Sequence, residues 1–338
     1  KVKYMSIEYL NINKNYKNFS WLITYLFGFS PICNKDFLSG RYNNLKEFSE
    51  ECFYIPSGLS IRQGPLGYQS NLQNSIMINH NSLKNYIEGM KKALIDNYPP
   101  YEKIGILQNG QPIQLSTSLL QIENEYYSSI RPKRVTPPGE RPINILRNEG
   151  IDYVEIRALD NNSFLPSGID EDTSYFLEAY LIGCFFGEDK KSTQNEIKEL
   201  LVNWGNVVKE GRNPNLKLLK DKEKLTIKDS GMQVIDYLRN IFDQMPPEMS
   251  DYAEKVMKSL DKQEEKLNDA SLTPSGLIVD QLKNSNKTWE ELNLELAKEH
   301  LKSLNGLKTD LNYLSEEAIS SLEKFKQLES HQEEEFEV

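Results

Sequence analysis

The chain has 338 residues, of which 38% are hydrophobic, 10% aromatic and 27% charged, with 40 Lys and Arg against 50 Asp and Glu and a net charge of −10. That length accommodates about two domains or one large α/β unit with a real core, and the aromatic content excludes a disordered chain. The acidic balance argues against non-specific binding to nucleic acid or to an anionic membrane.

The opening Lys1-Val2-Lys3 has no initiator Met and runs straight into what reads as mid-protein sequence, so an N-terminally incomplete chain is expected. No signal peptide is visible, and the early apolar stretch from Trp21 to Phe29 is far short of the roughly 20 residues of a membrane span. Cys33, Cys52 and Cys184 are widely spaced and form no CxxC pair; they read as reduced packing thiols of a cytoplasmic protein. The loop from Ser60 to Tyr68 is shaped by Gly64-Pro65 and Gly67 and presents Arg62 and Tyr68 from one small turn, as ligand loops do and as many inert loops also do. His80, between two Asn, reads as a surface or capping histidine.

From Tyr101 to Leu115 a hairpin is predicted, with Ile104 and Ile106 on one arm, Ile113 and Leu115 on the other, and Asn109-Gly110 at the turn. Extended runs follow over Leu119 to Tyr127 and Ile151 to Leu159, separated by the loop Thr136-Pro137-Pro138-Gly139. On the first, Gln121, Glu123, Glu125 and Tyr127 would share a face. Arg131, Lys133 and Arg134 come next, either as an anion site suited to phosphate or as a solvated loop neutralised by nearby Glu. On the second, Tyr153, Glu155 and Arg157 share a face while Val154, Ile156 and Ala158 point to packing. A carboxylate and a guanidinium so spaced suit one cation and one anion; equally, they make an exposed ion-paired surface.

Composition turns helical near residue 170. Asp170, Glu171 and Asp172 start a helix that runs to about Phe186, apolar nearly all round and so expected to be buried. Thr193 with Glu196, and Thr288 with Glu291, form capping boxes; Gly211 reads as a stop. GxGxxG and GxxxxGK[ST] are absent, and His80, His300 and His331 are too scattered for a His-ligated metal or a Ser-His-Asp site.

The runs Gln121-Ile122-Glu123-Asn124-Glu125, Ile130-Arg131-Pro132-Lys133-Arg134-Val135 and Tyr153-Val154-Glu155-Ile156-Arg157-Ala158-Leu159-Asp160 together resemble bacterial-type glutamate–cysteine ligase. So do Tyr25-Leu26-Phe27-Gly28-Phe29-Ser30-Pro31, the Arg62 to Tyr68 loop, Val202-Asn203-Trp204 with Glu210-Gly211-Arg212-Asn213-Pro214, and Leu272-Thr273-Pro274-Ser275, in consistent order. The resemblance implies an α+β fold like the glutamine synthetase catalytic domain, a curved antiparallel sheet packed with helices. Residues 1–169 would be a partial catalytic sheet domain with substrate loops, 170–325 a helical region packed on it, and 326–338 an acidic, frayed tail.

The implied reaction is the first step of glutathione synthesis. ATP phosphorylates the glutamate side-chain carboxylate, and the cysteine amine attacks the acyl phosphate, with Mg²⁺ as cofactor. By resemblance, Glu155 is a magnesium ligand, and Arg157 meets glutamate or its transferring phosphate. Tyr68 and Tyr127 meet the cysteine carboxylate with Arg62 beside them, Arg62 and Arg157 counting as catalytic. Arg131, Lys133 and Arg134 surround the ATP phosphates. Partners would be ATP, L-glutamate and L-cysteine, not nucleic acid or membrane, and the complete protein a monomer. The family's other acidic metal ligands and a metal-linked His lie upstream of Lys1. Little or no activity is therefore expected of this chain by itself, and its sheet would have an exposed edge. A non-catalytic remnant of the same fold is the alternative.

Overall fold

The stretch Ser-Trp-Leu-Ile-Thr-Tyr-Leu-Phe is apolar on every side, so a helix built from it has to be enclosed. In the computed structural model, which describes residues 2–40, 44–67, 76, 78–220, 223–305 and 311–330, Val2–Asn18 forms α1, and Ser20–Phe27 forms α2 with all eight residues buried. Strand β1 (Ile32–Asn34) leads into the short α3 (Lys35–Leu38), and β2 (Lys46–Ser49) and β3 (Cys52–Tyr54) complete a three-stranded antiparallel sheet of order β1-β3-β2. Helix α4 (Leu83–Ile95) starts where the Ser82 hydroxyl accepts the Asn85 N–H.

The predicted hairpin is present but shorter. Asn109 (φ 53°) and Gly110 (φ 77°) turn between β4 (Leu107–Gln108) and β5 (Gln111–Pro112), the left-handed pair that a type I′ turn needs. Ile104 does not lie on its first arm: Pro99 and Pro100 open a helix, α5 (Pro99–Ile104), which claims it. The run from Leu119 to Tyr127 is not a strand either. Gln121 N–H bonds the Glu125 carboxylate, Glu123 accepts from Ile143 N–H, and Glu123–Glu125 winds into one 3₁₀ turn, so no shared face forms.

Where a cationic loop was one reading, strand β6 (Ile130–Lys133) pairs antiparallel with β7 (Tyr153–Ile156) across the intervening α6 (Pro142–Glu149). Ile130 is fully buried on the inner side; Pro132 is tolerated because, among the described residues, β6 pairs on one edge alone.

The second half is helical as expected: α7 (Glu171–Phe186), α8 (Gln194–Glu210), a hairpin of β8 (Lys217–Lys220) and β9 (Glu223–Thr226), then α9 (Ile227–Phe242), α10 (Ser250–Asn268), α11 (Pro274–Asn284), α12 (Trp289–Leu304) and α13 (Leu311–Ser330). Both capping boxes close, at Thr193 with Glu196 and at Thr288 with Glu291. Helix α7 is not buried all round. Phe176, Ala179, Tyr180 and Cys184 face the core, while Phe185 and Phe186 face water. Residues 326–330, expected to fray, form the end of α13; 331–338 lie outside the described residues.

The fold is mixed α+β, its strands gathered in small antiparallel sheets among the described residues. One core unites its two halves: Trp21, Ile23, Ile130 and Ala158 pack with Phe176, Trp204, Ile235 and Val256. Cys33, Cys52 and Cys184 are buried free thiols.

His80 is 4% exposed, not on the surface, because a second cluster containing Tyr86 closes over it. Its Nδ1 faces Lys17 Nζ at 3.3 Å. Burial pushes the Lys17 amine down to about 7, and burial together with the Lys17 charge holds His80 well below its usual range. An unfolded Lys17, titrating near 10.5, takes up a proton that the folded form does not hold between about 7 and 10.5. Stability therefore rises with pH across that window. Lys17→Met is expected to flatten the slope by up to about 1 kcal/mol per pH unit, read from urea unfolding at several pH values. A slope equal to that of the unaltered chain would contradict this placement.

Candidate functional site

Strand alternation decides which side chains meet. The register places Arg131 opposite Glu155 and Lys133 opposite Tyr153, so these four share the outer face of β6–β7 while Ile130, Pro132, Val154 and Ile156 take the inner one. Arg131 is nearly buried and fully engaged: Nε and Nη2 donate to Glu155 Oε2 at 3.1 and 2.8 Å, and Nη1 donates to the Tyr126 carbonyl at 3.2 Å. Lys133 Nζ stands 4.0 Å from the same Glu155 oxygen.

Arg157 extends this face by one pleat. Its N–H donates to the Ser129 carbonyl (2.8 Å), and its guanidinium lies 5.6 Å above the Tyr127 ring. The Tyr127 hydroxyl donates to the Arg157 carbonyl at 3.0 Å, and Arg62 Nη2 reaches that carbonyl at 3.4 Å. Arg62, Tyr127 and Arg157 thus converge on one point of the main chain.

The electrostatics follow from this crowding. Burial alone would raise the Glu155 pKa, but the Arg131 hydrogen bonds and charge, with Lys133 and Arg157, hold it below the usual carboxylate range. Lys133 is lowered, first by burial and then by the Arg131 charge, with Glu155 opposing. Three cations thus surround one carboxylate, and the surplus positive charge suits a ligand with several anionic oxygens.

The structure does not gather every residue that the sequence nominated. Arg134 turns to Glu149 (3.0 Å) and Asp152 (3.7 Å), because its position after Lys133 points it to the opposite side of the ribbon. Tyr68 lies outside the described residues. Arg131 is spoken for by Glu155 and Tyr126, which makes Lys133 and Arg157 the more accessible cations.

Glu155 can be tested as a magnesium ligand on the same geometry. It is one carboxylate with an arginine on one oxygen and two further cations near, whereas Mg²⁺ takes six oxygens in octahedral array. No group of three or more His, Cys, Asp or Glu that could hold a metal ion occurs among the described residues. These residues by themselves do not fit the ion.

Sequence reasoning missed the groups that hold the site from behind. Trp204 Nε1 donates to Thr24 Oγ1 (2.9 Å), Thr24 Oγ1 donates to Gln63 Oε1 (2.7 Å), and Gln63 Nε2 donates to the Ala158 carbonyl (2.7 Å). Thr24 and Gln63 are wholly buried. Asp160, also buried, ties Phe29 and Ser30 to Arg62. Gln63 and Asp160 stood inside the motifs already singled out; nothing in the spacing joins Thr24 to Trp204.

A family model described as glutamate-cysteine ligase matches residues 1–207. Among curated relatives, the glutamate–cysteine ligase of Pseudomonas putida is 39% identical over 300 residues, 88% of this chain and 56% of that protein; the one of Janthinobacterium is 38% identical over 297 residues, with the same coverage. Among solved structures, the Francisella tularensis glutamate–cysteine ligase in complex with AMP superposes with a TM-score of 0.86 at 32% identity, over 97% of this chain and 65% of that one. A bifunctional glutathione synthetase of Pasteurella multocida shares the fold, with a TM-score of 0.61 at 19% identity. The chain spans about half the length of the curated relatives it matches.

Proposed function

This chain belongs to the glutamate–cysteine ligase family, and from that premise we propose that it contributes to ATP-dependent joining of L-glutamate to L-cysteine, giving γ-glutamylcysteine for glutathione synthesis. In this reading a glutamate side-chain oxygen attacks the γ-phosphorus of ATP, ADP leaves, and an acyl phosphate forms. The cysteine amine then attacks the acyl carbon, inorganic phosphate leaves, and the amine nitrogen gives up a proton.

The observation that carries the reading is the convergence of Arg62, Tyr127 and Arg157 beside the Arg131–Lys133–Glu155 cluster, in a chain of this family. Lys133 and Arg157 are placed to neutralise charge on phosphate or carboxylate oxygens, and Arg131 to hold Glu155. Arg62 and Tyr127 are assigned to the carboxylate of the incoming amino acid, with Tyr68 as their expected companion. Arg134, paired with Glu149 and Asp152 on the other side of the ribbon, is given no phosphate contact in this reading. Strands β6 and β7 are read as a portion of the curved, funnel-lining sheet of a glutamine synthetase-like fold. The division near residue 170 then separates ligand-bearing residues from the helices behind them. Buried free thiols and the use of ATP favour the cytoplasm.

Family membership implies Mg²⁺, which would supply charge neutralisation for phosphoryl transfer; because Glu155 alone does not fit it, no step is derived through the ion. Two measurements test the reading. The polypeptide as its cell makes it should form γ-glutamylcysteine and inorganic phosphate one for one from ATP, glutamate and cysteine; none formed would leave the remnant reading in its place. The purified 338-residue chain alone should form little or none, since among the described residues no carboxylate cluster joins the arginine-bound Glu155 to complete a metal site, and clear turnover by it would refute that argument.

A further inference from the structure

We infer that Asp160 is a positioning residue that sets Arg62 against substrate. Its side chain is 3% exposed and both oxygens are committed. Oδ2 accepts from Phe29 N–H (2.8 Å), Ser30 N–H (3.1 Å) and Ser30 Oγ (2.8 Å), while Oδ1 accepts from Arg62 Nη1 (3.0 Å). The Ser30 hydroxyl in turn lies 3.0 Å from Ser60 Oγ and accepts the Arg62 backbone N–H at 3.3 Å. Three segments distant in sequence therefore meet at one carboxylate: the exit of α2, the loop carrying Arg62, and the chain just beyond β7.

The division of labour between the two oxygens is the informative part. Oδ2 alone satisfies the backbone donors, as a purely structural carboxylate would. Oδ1 is given to a guanidinium whose other terminal nitrogen grips the Arg157 carbonyl, so two points fix the plane of the Arg62 fork while its side chain stays 32% exposed. Gly67 packs against this loop: a Cβ there would lie 1.9 Å from the Arg62 carbonyl oxygen, so only glycine fits beneath Arg62 without moving its backbone. A planar donor with five N–H groups selects a carboxylate only when its plane is held.

The inference rests on the assignment of Arg62 to the cysteine carboxylate, and the experiment separates the two. In the polypeptide as its cell makes it, Asp160→Asn is expected to raise the KM for cysteine roughly ten- to a hundredfold, with kcat and the KM for ATP changed less than about threefold. In an Arg62→Ala background, where the cysteine KM is already raised, Asp160→Asn should add less than about twofold. Ser30→Ala, which removes an Oδ2 donor and the acceptor of the Arg62 backbone N–H but leaves Oδ1 on the Arg62 guanidinium, should leave the cysteine KM near its original value. If Asp160→Asn does not fold, Asp160→Glu runs the same cycle. Multiplicative effects of the Asp160 and Arg62 changes, or a Ser30→Ala enzyme that copies Asp160→Asn, would overturn the positioning role and leave the site reading standing. An Arg62→Ala enzyme with an unchanged cysteine KM would remove both.

Discussion

Glu155→Gln, made in the polypeptide as its cell makes it, is expected to lower dipeptide formation by about 100- to 1000-fold while the fold persists. The amide preserves shape and one acceptor for Arg131, but it removes the negative charge at the centre of three cations. Arg131 keeps an acceptor but loses its counter-charge, so the charge arrangement facing the reacting oxygens changes. The stability cost should be modest, about 1 kcal/mol, because Glu155 is a third exposed and water screens the pair. That cost also has a pH signature. Glu155 is held below its usual range, so its contribution is present above the ordinary carboxylate pKa and is lost as pH falls through the folded value. Original and variant should therefore converge in stability in acid. Steady-state rates and unfolding curves check both statements; turnover within threefold of the original would remove Glu155 from the site.

The largest expected effect on stability lies one layer below. Thr24→Val keeps the volume but deletes the hydroxyl that joins Trp204 to Gln63, leaving a buried indole N–H and a buried amide oxygen without partners. Each orphaned group costs about 1–3 kcal/mol, so a total of about 3 kcal/mol is expected. Thr24→Ser, which gives up only a methyl group, should cost about 1 kcal/mol. The comparison is read from denaturant midpoints at constant m-value. Equal losses in the two variants would show that packing, not the relay, fixes this junction.

These two cases also show what can be read in a sequence and what cannot. Local devices were legible. Asn109-Gly110 turns a hairpin, and the Thr193 and Thr288 boxes start helices, because each is settled within four residues. The pleat of residues 153–156 was legible for the same reason. Errors arose where distant groups override local pattern. Alternation from Gln121 to Tyr127 suggested a strand, but Arg141 and Ile143 draw Glu123 to the start of α6. His80 looked superficial until Lys17 and Tyr86 covered it. Arg131 looked like an open phosphate fork, yet its partner lies 24 residues onward in the facing strand. The Thr24 relay spans 180 residues, and no periodicity signals it.

The buried thiols have a consequence for a protein assigned to cysteine chemistry. Free cysteine coexists with its oxidised dimer, and any ionised sulfur on the protein would be captured as a mixed disulfide. Burial pushes the Cys184 thiol up to about 12 and raises Cys52 as well, so neither offers an attacking thiolate near neutral pH, and Cys33 is enclosed with them. Three enclosed sulfurs, two of them with raised thiol pKa values, leave the fold without an exposed thiol for a disulfide-exchanging small molecule to capture.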